Sequence, residues 1–211
     1  MVDEKSVLAK QFKINEIINI IRKINVQSSL YELLKYRVVH HGNVRSQEQK
    51  QKLNDLVVSE MSIVSSSNIE NFEINKLHQL FQANYLISVG DYKSALRSYM
   101  ELNSLFENNN HLWNNPPIYY LLTIEGVLDS LRSIRDYEGM SYFIAQLKKL
   151  NSPSVNFNAN VSCLVFLYEQ FPNLDRGNFK VSEVHREELR DLLDNKLQLL
   201  SLMRQAELCL Y

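Results

Sequence analysis

Turn-forming residues are scarce in this chain: 211 residues contain five glycines and four prolines. Antiparallel sheets need frequent turns, and neither Asn-Gly nor Asp-Gly occurs, which excludes a β-sandwich or barrel. Few breakers imply long helices. Cysteine is nearly absent, and Cys163 and Cys209 lie too far apart in sequence to read as a disulfide framework. Charge of one sign is also lacking: 23 basic residues face 24 acidic ones, for a net charge of −1. That balance offers nucleic acid no basic face. No apolar run reaches the ~18 residues of a membrane span. Met1-Val2-Asp3-Glu4-Lys5 opens on charge rather than on a signal-peptide core. The expectation is a cytoplasmic protein with no membrane and no nucleic-acid partner.

The composition that remains, 45% hydrophobic and 22% charged, suits a folded globular chain. Its apolar residues recur at helical spacing. Ile14, Ile17, Ile18, Ile21 and Ile24 mark a first helix over 6–24. Ser28 or Ser29 then caps a second, carrying Leu30, Leu33, Leu34 and Val38 and ending at Gly42. Ser46 and Gln49 form a capping box ahead of Leu53, Leu56, Val57, Met61 and Val64. Two helices over 75–106 flank Gly90-Asp91-Tyr92. Asn115-Pro116-Pro117 reads as a helix start with asparagine as the cap. Gly126 inside that helix calls for the close approach of a neighbouring helix. Further helices begin at Asp136 and Ser182, and one over 161–171 ends at Pro172. The last runs unbroken through Met203. The count is nine helices and no strand.

Four breaks share a pattern, a glycine or arginine followed by Asn/Asp and an apolar residue: Gly42-Asn43-Val44, Gly90-Asp91-Tyr92, Arg135-Asp136-Tyr137 and Gly177-Asn178-Phe179. They are spaced by 48, 45 and 42 residues. Helical pairs repeating in the forties predict an all-α chain, an α-solenoid of about four helical hairpins.

Over residues 76–107 the chain resembles a tetratricopeptide repeat (TPR). Ala83 matches the small residue of the family's first helix, Gly90, Asp91 and Tyr92 its turn, and Ala95 and Tyr99 the alanine and aromatic of its second helix. Gln79 stands where the family carries an aromatic, and the helix-ending proline is missing. The resemblance implies a single TPR-like domain over 1–211, wound as a right-handed superhelix; HEAT-like and irregular helical arrays share the period. In that family the first helix of each pair lines a concave binding surface. The matching positions here are Glu32, Tyr36 and His40, then Asn84 and Ser88, then Glu125, Asp129 and Arg132. Asn84 falls where some members grip a peptide carboxylate. The set is acidic and polar, which implies a basic or amide-rich peptide.

No catalytic constellation accompanies this scaffold. The glycines are isolated, so phosphate-cradling loops are absent. His40 and His41 are adjacent and point ~100° apart on a helix, which prevents joint chelation of a metal. His185 and Glu188 share a helix face but read as a first-turn polar cluster. The function expected is non-enzymatic, with no cofactor and no metal: a scaffold or interaction module binding a peptide or protein segment in its groove. The alternative is a sensor or oligomerisation segment of a larger regulator. The chain closes on the apolar Leu208-Cys209-Leu210-Tyr211, so either the array continues or that end packs on a partner or on a second copy as a homodimer.

Overall fold

The computed structural model describes the backbone of residues 4–41, 46–65, 71–178 and 182–209, and the side chains of 13–31, 46–62, 71–178 and 182–209. Among the described residues there are nine α-helices and no strand: α1 (Glu4–His41), α2 (Gln47–Ser65), α3 (Phe72–Ser88), α4 (Tyr92–Asn108), α5 (Ile118–Ser133), α6 (Tyr137–Leu147), α7 (Val155–Asp175), α8 (Glu183–Asp191) and α9 (Leu202–Cys209). None of the described helices is long and apolar enough to cross a membrane. Contacts group the chain into two compact units, Met1–Gly90 and Asp91–Tyr211, where the sequence reads as one array over 1–211. The TPR-like stretch is shared between them, α3 belonging to the first and α4 to the second.

In the first unit α1 packs on α2 and α3. The two helices expected, one over 6–24 and one from Ser28 or Ser29 to Gly42, are one helix, Glu4–His41. Ser29 donates its hydroxyl to the Asn25 carbonyl at 3.0 Å instead of capping, and without glycine or proline nothing stops propagation. Ser46 does cap α2, accepting from the Gln49 amide at 3.1 Å. The buried face of α2 is rotated from expectation: Leu53, Leu56 and Glu60 point inward, while Met61 is 63% exposed. The break at Gly42 lies outside the described residues.

In the second unit α4, α5, α6 and α7 pack each on the next in chain order, and α5 also touches α7. The expected turns share one geometry, since Gly90, Arg135 and Gly177 all have left-handed φ of 82°, 62° and 73°. After the first two, Asp91 and Asp136 accept from the amides of Ser94 and Gly139 and cap α4 and α6. Gly126 has the close neighbour its cost requires: a Cβ there would lie 2.1 Å from the ring of Tyr99 on α4. That neighbour is a buried side chain rather than a backbone.

Three further expectations, all in the second unit, need correction. Asn115 does not cap α5; Pro117 occupies the cap position, and the Asn115 side chain instead accepts from the Ser152 hydroxyl at 3.0 Å. Pro172 does not end α7, which continues one turn to Asp175 and closes at left-handed Gly177, with the Asn178 amide donating to the Asn173 carbonyl. Arg132 holds this extra turn by a two-pronged bridge to Asp175 at 2.9 and 2.8 Å, its guanidinium 3.5 Å from the Phe171 ring centre. The last helix is not continuous. α8 runs into a π turn (Leu192–Lys196), a 3₁₀ turn (Leu197–Leu199) and an extended Leu200 before α9. Packing overrides helix propensity here, because the break allows Leu192, Leu200 and Leu208 all to be buried.

Candidate functional site

Two polar clusters are built into the helical layers, one in each unit. In the first, Glu60 on α2 is 1% exposed. Its Oε1 accepts from the Tyr31 hydroxyl of α1 at 2.8 Å and is hydrogen-bonded to His78 Nδ1 of α3. Its Oε2 accepts from Gln82 Nε2 at 3.0 Å. One carboxyl thus ties three helices, with every partner supplied by a neighbour. Burial and the adjacent carboxyl push the Tyr31 phenol well above its ordinary range, so it stays a donor.

In the second unit the cluster lies against α5. Glu125 and Asp129 are one turn apart and share a helix face. Arg204 of α9 donates to Glu125 and, at 2.6 Å, to Glu207 on its own helix. The Tyr168 hydroxyl of α7 donates to Asp129 at 2.5 Å. Two carboxyl groups therefore bind one guanidinium, and a third, Asp129, stands next to them on the Tyr168 hydroxyl. Burial raises the Asp129 carboxyl from 3.8 to about 6; the charge of Glu125 adds to this, while Tyr168 and Arg204 oppose it. Burial alone would weaken Arg204's hold on its proton, but Glu125 and Glu207 more than restore it, so the guanidinium stays charged. Tyr168 is pushed well above a normal phenol by burial and by Asp129. Cys163, on the same layer, is raised to about 11 by burial, which leaves its thiol unreactive at neutral pH.

The expected groove residues meet different fates. Glu32, Tyr36 and His40 lie on α1, but their side chains fall outside the described residues, as does that of His41. Asn84 donates to the Leu80 carbonyl and Ser88 to the Asn84 carbonyl, both at 2.9 Å along their own helix. Glu125 and Asp129 come together as expected, but Arg204 and Tyr168 occupy them from within the chain. Arg132 is spent on Asp175 and Phe171. Arg204 and Glu60 were not singled out by the sequence. Glu60 could have been, since it falls within the Leu53–Leu56 apolar stripe, where a carboxyl needs partners; Arg204 carried no such signal.

His185 and Glu188 are joined by Glu169 of α7, with ligand atoms of the three within 4.8 Å of one another. A cation is already supplied there: the Lys148 ammonium lies 2.6 Å from Glu169. His185 Nδ1 is 2.9 Å from the Ser182 hydroxyl that caps α8. The aromatic residues Phe106, Trp113 and Tyr120 pack together, the ring centres of Trp113 and Tyr120 4.1 Å apart and Phe106 edge-on to Trp113, and the indole donates to the Phe106 carbonyl. They close the α4–α5 layer. No family model, curated protein sequence or solved structure gives a match to this chain.

Proposed function

We propose that this protein is a non-enzymatic interaction module whose α5 face receives a short helix bearing a basic side chain. One observation carries the reading: Glu125 holds Arg204 of the eight-residue α9, so this face already accepts an arginine presented on a separate helical segment. Asp129 remains beside it as a second carboxyl without a cation of its own. An acidic pair with one guanidinium fits a basic partner by complementarity, and α9 then stands where such a partner would lie.

Consecutive packing of α4 to α7, the second-neighbour contact between α5 and α7, and left-handed turns 45 and 42 residues apart support a repeat array of the TPR-like kind. The test uses a labelled peptide with the sequence of residues 201–209 and follows its anisotropy. The full chain carrying Arg204→Ala should bind it several-fold more tightly than the unaltered chain, and a peptide with arginine replaced by alanine should not bind. Equal binding of both peptides, or none by either protein, would contradict the reading.

A further inference from the structure

The described part of α1 holds the largest unexplained apolar surface. Every side chain from 13 to 23 is exposed, on all sides of the helix. Only Ile20 and Lys23 border another described element, at a cleft they share with Asn71 and Ile74, and Ile14, Ile17, Ile18, Ile20 and Ile21 are each at least 40% exposed. Five half-exposed isoleucines present on the order of 500 Å² of apolar surface, within the ~300–600 Å² range of a monomer's largest patch. A lone helical projection rich in β-branched residues is marginal in water, because helices draw most of their stability from packing. Something must cover it.

The sequence identifies the cover. Around Asn19 the chain reads the same in both directions: Ile14, two polar residues, Ile17-Ile18, Asn19, Ile20-Ile21, two polar residues, Ile24. At ~100° per residue, Ile14, Ile17, Ile21 and Ile24 fall within an arc of about 80°, and Asn19 lies opposite its centre. Their 3-4-3 spacing is that of a left-handed helix pair. A stripe that is symmetric about its midpoint is complementary to itself when the second helix runs the other way, which is the condition for a two-fold interface.

We infer that α1 pairs with α1 of a second copy of this chain, antiparallel and centred on residue 19. Ile17 then lies opposite the partner's Ile21, and Ile14 opposite the partner's Ile24. A parallel pair would instead set the two folded bodies side by side at the same end. Ile24 is half-buried where α1 meets its own unit, so the two folded bodies sit at opposite ends of the pair.

Light scattering on the full chain tests this. The expected mass is twice the 24.7 kDa of one chain, falling twofold when Ile17→Lys and Ile21→Lys are combined. Direction is read by oxidation in a Cys209→Ser background, Cys163 being buried. An equimolar mixture of Ile14→Cys and Ile24→Cys proteins should crosslink, and neither should crosslink alone. A single-chain mass for the unaltered protein, a mass indifferent to the two lysines, or self-crosslinking of Ile14→Cys would overturn the inference.

Discussion

The two units bury carboxyl groups among helices in opposite ways. Glu60 has donors on both oxygens from three side chains on two other helices, and no second carboxyl shares them. Glu125 and Glu207 share Arg204, while Asp129 beside them has only the Tyr168 phenol. A balanced network fixes helices and has no reason to release them. An unbalanced one is stabilised by any further positive charge, including a proton, and this is what the proposed binding role of the α5 face rests on.

The largest effect should come from breaking the balanced network. Glu60→Leu removes the acceptor for Tyr31 and Gln82 and should cost about 3 kcal/mol. Trp113, the single tryptophan, lies in the second unit. Urea unfolding followed by far-UV circular dichroism should therefore show the loss, while the tryptophan transition stays in place.

Gly126→Ala is the matching lesion in the second unit and leaves its charges alone. The Tyr99 ring, 2% exposed, occupies the space a methyl needs. The substitution should destabilise by about 2 kcal/mol, seen as a shift of the Trp113 transition to lower urea.

Acid should sharpen the contrast. The fold holds the Asp129 proton more tightly than the unfolded chain does, its pKa rising from 3.8 to about 6. The second unit therefore gains stability as pH falls through 6, on the order of 1–2 kcal/mol by pH 5. Asp129→Asn should abolish that gain. Asp175, which the Arg132 hydrogen bonds hold below the usual carboxyl range, works in the other direction, and only below pH 4. Tryptophan-monitored unfolding at pH 7, 6 and 5 separates the two.

Smallest is the relief of strain at Arg135, which alone among the described non-glycine residues has positive φ. Arg135→Gly should stabilise the second unit by about 1 kcal/mol, read as a later Trp113 transition.

These turns are also where the sequence was most legible. A left-handed residue followed by a capping Asp is a local device, so Gly90-Asp91 and Arg135-Asp136 announce themselves without knowledge of the neighbours. What depended on the neighbours was not legible. Ser28-Ser29 looks like a helix boundary only if its hydroxyls are assumed to cap. Met61 looks more buried than Glu60 until Tyr31, His78 and Gln82 are in place. Pro172 ends a helix unless Arg132 holds the following turn, and the break after Leu192 contains no breaker at all. The acidic pair on α5 was visible in the sequence. Its occupant was not, because Arg204 lies 79 residues from Glu125.

The central claim is that α9, which packs on α7, is a separable segment tied to α5 by the Glu125–Arg204 contact. Hydrogen–deuterium exchange of the full chain carrying Glu125→Gln tests it directly. Amides of α9 should exchange at least tenfold faster, with those of α4 and α6 unchanged. Unaltered exchange in α9, or equal acceleration throughout the second unit, would show that no such separable segment exists.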